Sequence, residues 1–204
     1  MNSNHIKAVV FDMGGVFVQT VNKEPRKKLA RRLGLSDEAL SQIVFQSESA
    51  QLATAGVIGE KIHWEFIATQ FGLKEAEIEK FWEEFWGGDV LDKDLVKFTQ
   101  SLKNDYKIGL LSNAWSGVRD LLTRKFNFLD LFDVSVFSAE VNLVKPNPEF
   151  YSWMMEQLDV DYPESIFVDD FIENIQAADA LGMQTVHFKN TKQAIEEIKT
   201  ILGT

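Results

Sequence analysis

The stretch Ile6-Lys7-Ala8-Val9-Val10-Phe11-Asp12-Met13-Gly14-Gly15-Val16 decides the fold. Its apolar, β-rich run Ile6–Phe11 is that of a strand buried on both faces, as in a parallel sheet. Asp12 stops the run at the strand's C-terminal tip, where a carboxylate is costly unless it is paired or bound to a cation. The two glycines that follow permit close backbone approach to a ligand, or dihedrals closed to other residues. Taken by itself, Asp12 either caps a turn or carries chemistry.

Similar short runs recur at Lys107–Leu111, Asp133–Phe137, Ser165–Val168 and Met183–Phe188, with helical patterns at Ser116–Phe126, Pro148–Leu158, Phe171–Leu181 and Thr191–Leu202. Alternation of this kind predicts an α/β fold, a Rossmann-like doubly wound parallel sheet. Right-handed crossovers then bring the strand C-termini to one edge, where ligands bind. From about Gln19 to Asp89 the alternation stops, and only helical patterns are found: Glu24–Leu33, Ser36–Phe45, Glu48–Ala55, Glu60–Phe71 and Lys74–Trp86. Ser36, followed by Asp37 and Glu38, is a plausible N-cap with acids in the first turn. The expected organisation is a catalytic core of residues 1–18 and 90–204, with an inserted α-helical cap domain over 19–89. Trp64, Trp82 and Trp86 fall in the insert and are expected to form its core.

Three further loops matter because of where they lie. Leu111 is followed by Ser112 and Asn113, whose donors suit phosphate oxygens but equally suit a helix cap. In Val144-Lys145-Pro146-Asn147-Pro148 the prolines stiffen the chain, so Lys145 is either a fixed positive charge or an ordinary solvated lysine. The run Phe167-Val168 ends in Asp169-Asp170, with Asn174 four residues on. Adjacent carboxylates after an apolar run repel one another, a cation relieves that repulsion, and oxygen ligands of this kind suit Mg²⁺. Each element is weak alone, but four in this order at predicted strand ends converge on one edge.

Composition sets the outer limits. The chain has 204 residues, 45% of them hydrophobic, and by surface scaling buries about 70% of its unfolded surface, enough for one good core with a small accessory bundle. It contains no cysteine, which excludes thiol catalysis and Cys-ligated metals. The net charge of −10 disfavours nucleic acid and anionic membranes as partners. No apolar run approaches the roughly 20 residues of a membrane helix, and Ala8–Phe11 is too short for a signal-peptide core. A cytoplasmic protein is expected, and a small phosphorylated metabolite stays allowed as a partner provided the site itself is locally positive; the sequence says nothing of oligomeric state.

The ordered set Asp12-Met13-Gly14-Gly15-Val16, Ser112-Asn113, Lys145-Pro146 and Asp169-Asp170 with Asn174 resembles the four motifs of the haloacid dehalogenase-like hydrolase superfamily, across essentially the whole chain. The helical insert resembles that superfamily's small cap, and the start of the first motif is similar to that of bacterial sugar-phosphate phosphatases and of the phosphatase domain of soluble epoxide hydrolases. The resemblance implies that Asp12 is the nucleophile and forms an aspartyl-phosphate. It implies that Ser112 and Asn113 bind phosphate oxygens and that Lys145 offsets the charge of Asp12 and the phosphoryl group. Mg²⁺ would be held by Asp12, the carbonyl of Gly14 and Asp170, with Asp169 and Asn174 in support.

One departure stands out. Most phosphatases of the superfamily carry a second Asp two residues after the nucleophile as general acid, and here that position is Gly14. Three explanations follow: a leaving group that needs little protonation, a substitute acid from the cap (His63, Glu48 or Glu65), or lost catalysis in a binding protein. Metal-independent haloacid dehalogenases also lack that acid, but have no need of the pair Asp169-Asp170. The six basic residues Lys23, Arg26, Lys27, Lys28, Arg31 and Arg32 are either a solvated helix face or a rim that steers phosphates. His63 is expected to be a packed core histidine, and His5 and His187 are assigned no role.

Overall fold

A computed structural model describes residues 6–204. In chain order the elements begin with β1 (Ala8–Phe11), β2 (Val18–Thr20), α1 (Glu24–Arg32), α2 (Asp37–Gln46), α3 (Glu48–Thr54), α4 (Glu60–Phe71), α5 (Glu75–Phe85) and β3 (Asp89–Leu91). They continue with α6 (Lys93–Leu102), β4 (Lys107–Ser112), α7 (Val118–Lys125), β5 (Val134–Phe137), α8 (Ser138–Val141), α9 (Pro148–Leu158), β6 (Ser165–Asp169), α10 (Ile172–Ala180), β7 (Gln184–His187) and α11 (Thr191–Leu202). Among the described residues no helix is long and apolar enough to cross a membrane.

The five-stranded sheet has the order β5-β4-β1-β6-β7 and is parallel throughout. Its central strands are apolar because both faces are covered. Val9, Phe11, Ile108, Leu110, Ile166 and Val168 point to one layer, where Leu95 and Leu102 of α6, Leu122 of α7 and Ile198 of α11 meet them. The alternate residues Ala8, Val10, Leu111 and Phe167 point to the other, against Phe150, Tyr151, Met154 and Leu158 of α9 and Ile175 and Ala178 of α10. On the α9 side β4 carries Gly109, where a Cβ would lie 3.0 Å from the Met154 sulfur and 3.1 Å from Val10. The register pairs Phe11 with both Leu110 and Val168, and Asp169 with His187. The residues that follow these positions therefore emerge side by side.

Helices α1–α5 form a cap with an apolar cluster of its own, built on Leu29, Leu40, Val44, Ala50, Trp64, Ile67, Phe81 and Phe85. Trp64 is buried in it, and Trp82 and Trp86 are half-buried around it. Ser36 caps α2 by accepting from the Ala39 N–H.

Two features depart from the expectation. The span from Gln19 to Asp89 is not wholly helical: Gln19 and Thr20 belong to β2 and Asp89 to β3, which form an antiparallel ribbon at the two crossings between sheet and cap. Its strands are three residues long and mixed in polarity, too short for alternation to register. Helix α6, capped by Asp92, occupies a span to which no helix was assigned.

The cap is fastened to the core by a tryptophan from outside it. Trp115, three residues past β4, is buried in the cap cluster, and its indole N–H donates to the Thr54 hydroxyl at 3.0 Å and the Ala50 carbonyl at 3.3 Å. The Ser138 hydroxyl donates to the Thr54 carbonyl at 2.6 Å, and Asn142 donates to the Ala55 carbonyl at 3.0 Å. Glu60, at the start of α4, accepts the Gly117 N–H at 2.7 Å. Truncation of a large buried aromatic costs about 3–5 kcal/mol. Trp115→Ala is therefore expected to lower the urea midpoint by a loss of that order. A midpoint unchanged from the parent would show that the indole is not part of the packed structure.

Candidate active site

Four loops meet at the C-terminal edge of the sheet. At the tip of β1, the backbone N–H of Asp12 donates to the Val168 carbonyl at 2.8 Å, extending the ladder by one residue and fixing where the carboxylate emerges. The chain then turns back: the N–H groups of Phe17 and Val18 both donate to the Met13 carbonyl. Gly15 takes φ +79°, and a Cβ there would stand 2.2 Å from Oδ2 of Asp170. Only glycine lets the first loop approach the fourth this closely. Of the glycine pair, it is Gly15 that makes the close approach. Gly14 is the opposite case, with no atom within 4 Å of the Cβ position.

Lys145 is the charge at the centre. It lies on the strap before α9, where the Lys145–Pro146 bond is cis, and its side chain is only 1% exposed. Its ammonium donates to Oδ1 of Asp12 at 2.6 Å and to Oδ2 of Asp169 at 2.7 Å, over the Phe167 ring at 5.5 Å from the centroid. The solvated-lysine reading is thereby excluded. Asn113 holds the strap: its Nδ2 donates to the Lys145 carbonyl at 2.9 Å, and its Oδ1 accepts the Lys145 N–H at 2.8 Å. The side-chain amide that sequence reasoning offered to phosphate is bonded to protein backbone. Ser112, the last residue of β4, is 1% exposed beside it.

Asp169 is fully buried and fully engaged. Besides Lys145, its oxygens accept from the Phe171 N–H at 2.8 Å and from the Asn174 amide at 3.0 and 3.1 Å. Asn174 is held in turn by the Tyr151 hydroxyl, which donates to its carbonyl at 3.0 Å. Tyr151 carries no sequence signal, since it reads as one apolar position of α9 among others. His187, assigned no role, has its Nε2 3.1 Å from the Asp170 carbonyl. His5 lies outside the described residues.

Electrostatics make the site unbalanced. One ammonium faces the carboxylates of Asp12, Asp169 and Asp170, and oxygens from these three lie within 4.8 Å of one another. Burial pushes the Asp12 carboxyl up to about 7, with Lys145 opposing and Asp169 adding to the rise. Burial, and then Asp169, raise Asp170 to about 6. Burial works against the Lys145 ammonium, but Asp12 and Asp169 more than offset it, so its pKa is raised. Oδ1 of Asp170 is buried without a hydrogen-bond partner. A buried oxygen of this kind, in a group of acids richer in negative than positive charge, fits a hard divalent cation such as Mg²⁺. Asp12 and Asp170 are the donors with capacity left, because Asp169 is saturated.

The other candidates lie elsewhere. His63 is buried in the cap cluster, with Nδ1 2.9 Å from the Ser49 hydroxyl and its ring 4.7 Å from that of Trp115; burial lowers its pKa. This is the packed histidine expected. Glu65 is exposed, 3.8 Å from Lys61, on a cleft of about 1030 Å³ that none of the carboxylates above borders. Glu48 is exposed at the start of α3. Of the basic cluster at α1, Lys27 and Arg31 pair with Glu24, Arg32 with Glu84, and Arg26 lies over the Phe85 ring at 4.2 Å, so that four of the six are engaged within the cap.

Comparison with known proteins agrees with this geometry. The chain is 27% identical over 198 residues to a sesquiterpene phosphatase of Aspergillus oryzae, covering 97% of each. It is 26% identical over 213 residues to a D-ribitol-5-phosphate phosphatase of Bacteroides thetaiotaomicron, covering 98% of this chain and all of that one. A haloacid dehalogenase-family enzyme of B. thetaiotaomicron, crystallised with magnesium and inorganic phosphate, shares the fold with a TM-score of 0.75 at 22% identity, over 90% of this chain and 94% of that one. Residues 6–182 match the family described as haloacid dehalogenase-like hydrolase, and the chain belongs to it.

Proposed function

We propose that the protein is a Mg²⁺-dependent phosphatase of small phosphomonoesters, with residues 1–18 and 90–204 as its catalytic core and 19–89 as the cap that sets specificity. The observation that carries this reading is the Lys145 ammonium bonded to both Asp12 and Asp169, with the partnerless oxygen of Asp170 beside them. A metal-independent dehalogenase has no need of that buried, unpaired acid. A phosphatase does, because a dianionic ester must enter a site that is already acidic.

In this mechanism the Asp12 carboxylate attacks phosphorus in line with the ester oxygen. The P–O bond to the alcohol breaks, its electron pair leaves with that oxygen, and an aspartyl-phosphate forms. Water then attacks the intermediate, releasing dihydrogen phosphate and restoring the carboxylate. Lys145 orients Asp12 and offsets charge on the transferring group. The Ser112 hydroxyl contacts phosphate oxygens, while Asn113, its amide bonded to the strap, fixes the lysine. Asp12, the Gly14 carbonyl and Asp170 would hold Mg²⁺, which neutralises phosphoryl charge when bound; Asp169 and Asn174 keep the neighbouring groups in place.

The substrate class favoured is a phosphorylated sugar. The terpenoid named for the fungal relative makes the alcohol a property of the cap rather than of the core. Cap closure would exclude bulk water from the intermediate.

Asp12→Asn removes the nucleophile while keeping its shape. It is expected to bring phosphate release below detection with the circular dichroism spectrum unchanged. Turnover near that of the parent would overturn the covalent mechanism. Mg²⁺ at a hundredfold excess over its Kd should add about 2.7 kcal/mol of stability, read as a rise in Tm that Asp170→Asn abolishes. A rise of equal size in that variant would remove Asp170 from the metal site.

A further inference from the structure

The sheet edge gathers a nucleophile, a counter-charge and metal ligands, but among the described residues no free acid of its loops is placed to protonate the alcohol that leaves. At the end of β7, His187 has its Nε2 on the Asp170 carbonyl. Met13–Phe17, after β1, contains no ionisable group, and neither does Asn113–Gly117, after β4. The segment after β5 contains Glu140, whose two oxygens are bonded to Arg119 at 2.6 and 2.8 Å, with the Phe137 N–H on the second. The strap carries only Lys145, bonded to two carboxylates. Asp169 is saturated, and Asp170 is reserved for the cation. In the cap, His63 is packed against Trp115 with Nδ1 at Ser49, and Glu65 lies on the separate cleft near Lys61. Beside the nucleophile itself, the Cβ direction of Gly14 opens onto empty space, and the φ of Gly14 is not in the left-handed region. A side chain would fit there, and none is present.

We infer that the enzyme is selective for phosphates whose leaving oxygen departs without a protein-donated proton. The class comprises acyl phosphates, phosphates on the anomeric oxygen of a sugar, and esters of acidic phenols; simple alkyl phosphates are poor substrates. This rests on the phosphatase reading above. In the first step the ester dianion and the Asp12 carboxylate give the aspartyl-phosphate dianion and the free oxyanion RO⁻. That oxyanion persists if its conjugate acid is strong, and otherwise takes a proton from solvent. A positioned general acid is worth about 10²–10⁴ in rate. Its absence weighs only on leaving groups of high pKa, so the site sorts substrates by the acidity of the alcohol.

The test uses the full chain with Mg²⁺ and a series of esters: acetyl phosphate, para-nitrophenyl phosphate, phenyl phosphate, an anomeric sugar phosphate and primary-alkyl phosphates. The expected result is a steep fall in kcat/KM with rising leaving-group pKa, about 10²-fold or more from the aryl to the alkyl esters. Gly14→Asp should raise kcat/KM on the alkyl esters relative to acetyl phosphate and so flatten the dependence on leaving-group pKa, whatever the change in overall rate. Gly14→Asn, with the same shape and no acid, should leave that dependence as steep as in the parent. Near-level rates across the series in the parent protein would overturn the inference and leave the phosphatase reading standing. If Glu48→Gln then made the fall steep, the proton would come from the cap. Failure to release phosphate from any ester, acetyl phosphate included, would overturn the phosphatase reading itself.

Discussion

The Lys145 ammonium, buried between the carboxylates of Asp12 and Asp169, is the constraint around which the rest of the edge is arranged. A charge taken out of water is tolerated only when its partners are close and their remaining lone pairs are satisfied. Each neighbouring feature answers that demand. The Asn113 clamp fixes the backbone from which the lysine projects; the Phe171 N–H and the Asn174 amide occupy what Lys145 leaves of Asp169; Tyr151 holds Asn174 in place. The arrangement leaves Asp12 with one oxygen committed and Asp170 with one buried oxygen uncommitted. Chemistry is possible at those two atoms because the others are already engaged.

The geometry also separates residues with a polar atom left over for a ligand from residues whose polar atoms are bonded to protein. Asp12, Lys145 and Asp170 have the exposure or the free valence to meet a phosphoryl group or its cation. Asp169, Asn174, Tyr151 and the amide of Asn113 do not, since their polar atoms are bonded to protein. His187 belongs with the second set, acting on the backbone of Asp170. Gly15 acts by absence, because a side chain there would collide with the Asp170 carboxylate.

Most of the sheet, and which residues gather at its C-terminal edge, were legible in the sequence, for a physical reason. A parallel strand covered on both faces must be a short unbroken apolar run, and the residue that ends it must sit at the ligand edge. Asp12, Ser112 and the Asp169-Asp170 pair are located by that rule alone. What lay beyond it was partnership. The same Asn113 suits a phosphate, a helix end or a backbone clamp, and only the path of the Val144–Asn147 strap decides among them. Tyr151 is indistinguishable from its apolar neighbours until its hydroxyl is seen on Asn174. The β2–β3 ribbon escaped because three mixed residues have no measurable period, and α6 because its apolar face only becomes meaningful against the sheet.

Trp115 gives the two parts of the molecule a shared interior. It belongs in sequence to the loop that follows Ser112 and in space to the packing of the helical cap, where its indole N–H satisfies acceptors on α3. The cap is therefore not a module with a closed surface of its own; one of its core positions is encoded outside it. A cap grafted from a relative onto this core would arrive with a cavity shaped for that relative's residue at this point. Exchange of the cap between members of the family thus has to carry position 115 along with the insert, and the loop after β4 must vary together with the helices it packs against.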